Sequence, residues 1–245
     1  MWILCFWTGE ADNMIDHTRY IEIGEYGFDC RNGAWICKDT VMGMNCTVFP
    51  GAVLGRPPVS TNAQARKSAV QIPPLKVSEN CVIGANVVLY RGISIASNCL
   101  IGDTACIREN VRIGEASIIA MGVTINYNTL IGSQVKVMDN THLTGNMIVE
   151  DNVFIGMLVT CANDNSMGRE AALNVPVELR KREGPIIRRN ATIGQGTCIL
   201  PGVEIGENSI IGANSVITKS IPDRVMAMGI PARVIRELKD EEIKP

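Results

Sequence analysis

An apolar step of six residues constrains this chain more than any other feature. From residue 77 to 155 every sixth position is aliphatic, as at Val77, Ile83, Leu89, Ile95 and Ile101, and none is missed. An amphipathic helix repeats near 3.6 residues and a half-buried strand repeats at 2, so neither explains a six. A repeat this short cannot bury its own apolar face and must stack on its neighbours. The expected fold is therefore all-β: a parallel β-helix of hexapeptide repeats. With three hexapeptides to a turn, residues eighteen apart lie one above the other.

Two further columns share this phase. Two residues before each aliphatic stand small or β-branched residues, among them Cys81, Val87, Cys99, Ser117, Thr129 and Thr141, expected to face the core. Three residues before it stand Asn80, Asn86, Gly92, Asn98, Asn110, Gly122, Asn128, Asn140, Asn146 and Asn152. Asn and Gly tolerate positive φ, which corners between short strands demand. Most of these asparagines are therefore structural.

The period also sets the organisation. Residues 1–35 show no clean repeat, so an irregular N-terminal segment is expected there. Ile36, Met42, Val48 and Leu54 make roughly one turn. The step breaks over 56–74, which carries Pro57, Pro58, Pro73 and Pro74, and again over 162–186. Both breaks read as loops leaving a coil that runs from 36 to 220, and loops of this length are commonly functional or disordered. In the tail, 221–245, Pro231 suits the first position of a helix, so a short C-terminal helix is expected.

Composition excludes several classes. A formal net charge of −2 gives no electrostatic footprint for nucleic acid. No apolar run approaches the ~20 residues of a membrane span, and the opening Trp2 to Trp7 stretch lacks the basic start of a signal peptide. Nine cysteines occur without a C-x-x-C cluster. Buried, reduced thiols in a cytoplasmic protein are expected, with a disulfide between the stacked Cys81 and Cys99 the lesser reading.

The two histidines are His17, in the irregular N-terminus, and His142, in the coil. His142 points outward beside inward Thr141, and its neighbours one turn away are expected to be Thr124 and Thr160. It reads equally as surface or as a general base; Asp139 and Glu150 lie near enough to orient it, though neither spacing compels the choice. Asn126, outside the corner column, stacks between Arg108 and Thr144. Its amide suits a sugar or acyl oxygen and Arg108 suits a phosphate; solvated coil decoration is the alternative for both.

Together the hexapeptide columns, the looped-out segment and the closing Gly229-Ile-Pro-Ala-Arg-Val-Ile235 resemble the bacterial hexapeptide-repeat acyltransferases. The resemblance implies a left-handed coil, a homotrimer, and acetyl-CoA bound between neighbouring coils without a metal. It also implies that a coil histidine serves as base. The loop residues Asn163, Asp164, Asn165 and Arg169, followed by Gly184-Pro-Ile, are similar to the loop of N-acetyltransferases that modify amino sugars on nucleotide carriers. That similarity assigns them to the acceptor. Gly202, Gly212, Ala213 and Lys219 fall where family members use backbone amides and a basic side chain for CoA, and Arg224 and Arg233 are placed to meet its phosphates. The implied reaction is transfer of an acetyl or other short acyl group from acyl-CoA to the amine of a nucleotide-linked sugar. O-acetylation of a sugar hydroxyl and a non-catalytic assembly subunit are the alternatives. A γ-type carbonic anhydrase needs three histidines on zinc, and this coil has one. The helical N-terminal domain of serine acetyltransferases and the larger terminal domains of lipid A acyltransferases have no counterpart in the pattern.

Overall fold

The computed structural model describes residues 20–23, 26–31, 33–59, 71–173 and 182–243. His17, the opening tryptophans, the middle of the first insertion and much of the second lie outside these residues.

Short strands stack into three sheets of 11, 8 and 10 strands, parallel throughout the coil. The first sheet runs through Ala34–Cys37, Val53–Arg56, Val88–Tyr90, Cys106–Ile107, Thr124–Ile125, His142–Leu143, Thr160–Cys161, Cys198–Ile199 and Val216–Ile217. The second begins at Val41–Met42 and the third at Thr47–Val48, so successive hexapeptides visit the three sheets in turn. The register advances by eighteen, as from Ile107 to Ile125 to Leu143. Leu54 pairs with Leu89 across the first insertion and Val149 with Ile187 across the second. Both insertions leave the phase intact.

The aliphatic column explains why the coil closes. Ile83, Leu89, Ile95, Ile107, Ile125 and Leu143 are fully buried, each contributing about 1.5–3 kcal/mol by burial. The second column is buried too, and its polar members follow one rule. Ser117 Oγ donates to Gly132 O at 2.9 Å, Thr129 Oγ1 to Thr144 O at 2.9 Å and Thr141 Oγ1 to Gly156 O at 2.8 Å. Cys81 and Cys99 thiols do the same to Ala96 O and Gly114 O, both at 3.2 Å. Each donor meets the carbonyl fifteen residues on, so no hydroxyl in this set is buried without a partner. Cys37, Cys46, Cys81, Cys99, Cys106, Cys161 and Cys198 are free; no bond joins Cys81 to Cys99.

Every Asn and Gly of the third column has positive φ, from 55° at Asn128 to 77° at Gly92. The amides also form ladders along the corner: Asn110 Nδ2 donates to Asn128 Oδ1, and Asn128 Nδ2 to Asn146 Oδ1, both at 3.2 Å. Where the column lacks Asn or Gly, Thr104, Ala116, Gln134 and Leu158 adopt the same conformation.

The two ends differ from expectation. Tyr20–Ile23 and Tyr26–Arg31 form an antiparallel hairpin paired on Ala34–Cys37; a hairpin repeats at 2, so it left no trace in a search for six. The expected C-terminal helix is absent. Ala232–Glu237 is a strand, antiparallel to Val225–Gly229, which itself extends the third sheet beside Ile210–Ile211. Pro231 lies in the turn between the two strands, after a cis peptide bond. The last coil presents an open row of backbone donors and acceptors, and the hairpin satisfies it as a helix would not. Among the described residues no helix is long and apolar enough to cross a membrane.

Candidate functional site

His142 lies in the middle of the first sheet, with Thr124 and Thr160 as its register partners. Its Nδ1 is 2.7 Å from Thr124 Oγ1. In the tautomer that donates Nδ1–H to Thr124, the Nε2 lone pair is unprotonated, the form a general base needs. Burial pushes the imidazole below its ordinary 6.5, so the ring is neutral at pH 7. The carboxylates near it in sequence do not orient it. Asp139 accepts the Met121 N–H at a corner, at 3.2 Å, and Glu150 is held on the second sheet by Arg188 at 2.8 Å. A threonine hydroxyl takes the place of the expected acid.

Beside the histidine runs a second column, in which Tyr90, Arg108, Asn126 and Thr144 follow one another up successive coils. Asn126 is half-buried, and its side-chain amide makes no hydrogen bond among the described residues. Arg108 is more engaged than a free phosphate ligand. Its Nε donates to Glu109 Oε2 at 2.9 Å, and Glu109 is only 1 % exposed. Burial works against the guanidinium charge, but the Glu109 bonds more than offset it and hold Arg108 above its ordinary range. The same guanidinium lies 5.0 Å from the centroid of the Tyr90 ring, as does that of Arg56.

The loop residues divide. Asn163 Nδ2 donates to Gly145 O at 3.1 Å, which fastens the loop to the coil. Asp164 accepts from Ser166 N at 2.7 Å, from Ser166 Oγ at 2.5 Å and from Gly168 N at 3.1 Å, so it builds the turn. Arg182, from the returning end of the loop, closes on Asp164 at 3.3 Å and on Glu170 at 3.0 Å. Asn165 and Arg169 are exposed and remain available to a ligand.

The residues assigned to CoA do not converge within one chain. Gly202 and Lys219 lie past first-sheet strands, on the edge that carries the loop. Gly212 and Ala213 lie past a third-sheet strand, and Arg224 sits at the corner before the closing hairpin. The Gly202 N–H donates to Glu183 O and the Gly212 N–H to Ala227 O, each at 2.9 Å. Arg224 pairs with Asp240, and Arg233 Nη1 donates to Ala232 O at 2.9 Å. Gly212 has a packing reason of its own: a Cβ there would stand 2.7 Å from Met228 Cβ. A groove of about 550 Å³ does exist, lined by Lys136, Phe154 and Thr192, but it lies on the third sheet, away from His142.

Arg56, Tyr90, Glu109 and the orienting role of Thr124 were not singled out from sequence. One signal was present. The chain has four tyrosines, and an aromatic directly after a core aliphatic, as Tyr90 is after Leu89, departs from the polar outer face of the coil.

Fold and site together define a hexapeptide β-solenoid with one outward histidine on a sheet flanked by an inserted loop. Residues 184–219 match the model of the bacterial transferase hexapeptide (six repeats), and residues 72–91 and 92–127 match the hexapeptide repeat of succinyl-transferase. These segments make up less than half of the chain; with the acetyltransferase relatives they support a hexapeptide-repeat acyltransferase family. It is 41 % identical over 115 residues to the galactoside O-acetyltransferase of Escherichia coli, covering 42 % of this chain and 57 % of that one. It is 37 % identical over 110 residues to the enzyme of the same name from Lactococcus lactis, covering 43 % and 52 %. The chain thus spans little more than half the length of these curated relatives. Its fold is shared with the UDP-N-acetylglucosamine acyltransferase of Bacteroides fragilis, at a TM-score of 0.64 and 18 % identity over 83 % of this chain and 72 % of that one.

Proposed function

We propose that this protein transfers an acetyl or other short acyl group from acyl-CoA to the amine of a nucleotide-linked amino sugar. The observation that carries the reading is the environment of His142. Its ring is bonded to a threonine, and no carboxylate among the described residues contacts it. A hydroxyl acceptor is a weak nucleophile that needs a strong adjacent base, and a neutral threonine, unlike a carboxylate, does not stabilise the imidazolium that such a base becomes. A neutral sugar amine attacks the thioester carbonyl unaided. The C–N bond forms, the C–S bond breaks, and the ammonium proton passes to His142 Nε2 or to the departing CoA thiolate. Asn126 offers a free amide to the acceptor or to the acyl oxygen. Asn165, Arg169 and Lys219 are the exposed groups assigned to substrate and cofactor, and the shared fold supports acyl-CoA as donor. We place the working unit as a homotrimer, because the groups assigned to CoA lie on different edges of one coil and come together only between neighbouring copies.

The curated relatives are O-acetyltransferases by name, so hydroxyl transfer is the second reading. The test is a panel of 3- and 4-amino nucleotide sugars with their hydroxyl counterparts, assayed for acetyl transfer. Turnover of the amines supports the proposal; turnover of the hydroxyl compounds alone overturns it. A monomer by light scattering at micromolar concentration removes the shared site.

A further inference from the structure

We infer that Arg56, Tyr90 and Arg108 form a clamp for the diphosphate of the acceptor, two to four coils from His142 on the same face. The inference rests on the nucleotide-sugar reading above and adds the site and the group it holds.

The clamp is built by two separate devices. The register slips between Leu54 and Arg56, so that Arg56 pairs with Tyr90 instead of continuing its column. Gly55 makes the slip possible with φ 81°; a Cβ there would lie 2.7 Å from both Cys37 Cβ and Thr40 Oγ1. A bulge of this kind re-aims a side chain, and here it lays the Arg56 guanidinium 5.0 Å from the Tyr90 centroid. From the coil that follows, Arg108 also brings its guanidinium to 5.0 Å from the ring centroid. Buried Glu109 fixes it there through Nε and Nη2.

The charges are unequal. Glu109 offsets Arg108, whose Nη1 has no hydrogen bond among the described residues. Arg91 and Asp39, on the neighbouring edge, neutralise each other through two bonds of 2.8 and 2.7 Å. Arg56 has no ion pair among the described residues and is exposed. The patch therefore offers one uncompensated cation and one set of pre-aimed guanidinium donors, both against one ring. A diphosphate presents two anionic centres and meets both; planar guanidinium forks suit phosphate oxygens. Tyr90 is buried, with two guanidinium groups against its ring, so no nucleobase stacks on it.

The position fits the chemistry. At about 4.8 Å per coil, Arg108 lies about 10 Å and Tyr90 about 14 Å along the sheet from the coil of His142. A sugar ring whose amine faces His142 and whose anomeric carbon bears the diphosphate covers that span, with Asn126 beneath the sugar.

The test is calorimetric titration of the full chain with uridine, thymidine and guanosine diphosphates and with inorganic pyrophosphate. The expected result is binding that weakens with ionic strength, and at least tenfold weaker binding by Arg56→Gln. Arg56→Lys should recover part of the loss, because it restores charge without the planar fork. Melting temperature and its rise on adding acetyl-CoA serve as the folding control for each variant. Equal binding to wild type and Arg56→Gln, or no binding of any probe, overturns the clamp. Arg56-dependent binding with no acetylation of any amino sugar leaves the clamp standing and overturns the amine reading alone.

Discussion

Leu158 offers a direct test of how the corners hold the coil. It occupies the corner column, where most other coils place Asn or Gly, and adopts φ 58° with 61 % of its surface exposed. An L-residue in this conformation costs roughly 1–2 kcal/mol, and Asn suffers less because its short side chain tolerates it. Leu158→Asn also places an amide one coil beyond Asn140, whose φ is 56°. That spacing reproduces the Asn128–Asn146 bond of 3.2 Å, worth about 1 kcal/mol. Little burial is lost, since the leucine is mostly in solvent. Relief and ladder together predict a gain of about 1–2 kcal/mol, a rise in melting temperature of roughly 3–6 °C for a chain of this size. Leu158→Gly relieves the strain without the ladder and adds an entropic cost of about 0.5–1 kcal/mol, so it should stay within about 1 kcal/mol of the parent. Differential scanning calorimetry of the three proteins decides the matter. A Leu158→Asn protein that melts at or below the parent refutes the account of the corners.

Asn128→Ala should lose about 2–3 kcal/mol by denaturant titration, from left-handed strain and two lost amide bonds, whereas Asn128→Gly should lose about half of that. His142→Asn should lower kcat by up to 10²–10⁴-fold with a smaller change in KM, read by single-turnover kinetics. In the wild type, kcat/KM should fall as pH drops through a value below 6.5, because burial lowers the His142 pKa; a flat profile down to pH 5 contradicts a base at that position. The same shift makes the unfolded chain the stronger proton acceptor between that value and 6.5, so His142's contribution to stability declines across that window as pH falls and is constant below it. Burial pushes the Cys99 thiol up to about 11 and raises Cys161 as well, so iodoacetamide at pH 7.5 should label the half-buried Cys46 and Cys198 well before either, as read by peptide mass spectrometry.

The coil was legible because one physical requirement repeats at every turn. Inward Ile125 and Leu143, buried Thr129 and left-handed Asn128 recur in phase, and each identity is dictated locally. His142, Thr124 and Thr160 could be stacked from the eighteen-residue pitch alone. The ends were not legible, since a hairpin is specified by the edge it covers and that edge exists only once the coil is built; Pro231 therefore suggested a helix. The site was half legible. Arg108 was found by its column, but its bond to Glu109 and its stacking on Tyr90 depend on side-chain directions that no period encodes. Arg56 was hidden by the slip at Gly55, which moves it out of the column in which it would have been sought.

The unbroken phase across both insertions has a consequence for how such a face can change. Any gain or loss of eighteen residues between Arg108 and His142 would return every side chain to its own sheet, so their separation is quantised in whole coils and carries no rotation. Duplicating residues 109–126 would move the two arginines one step further from the histidine while still pointing the same way, with a Glu109 still beside Arg108 and a Thr124 still under His142. Acceptor length on this scaffold can then be altered by duplication of a single unit, leaving the chemistry of the pieces untouched.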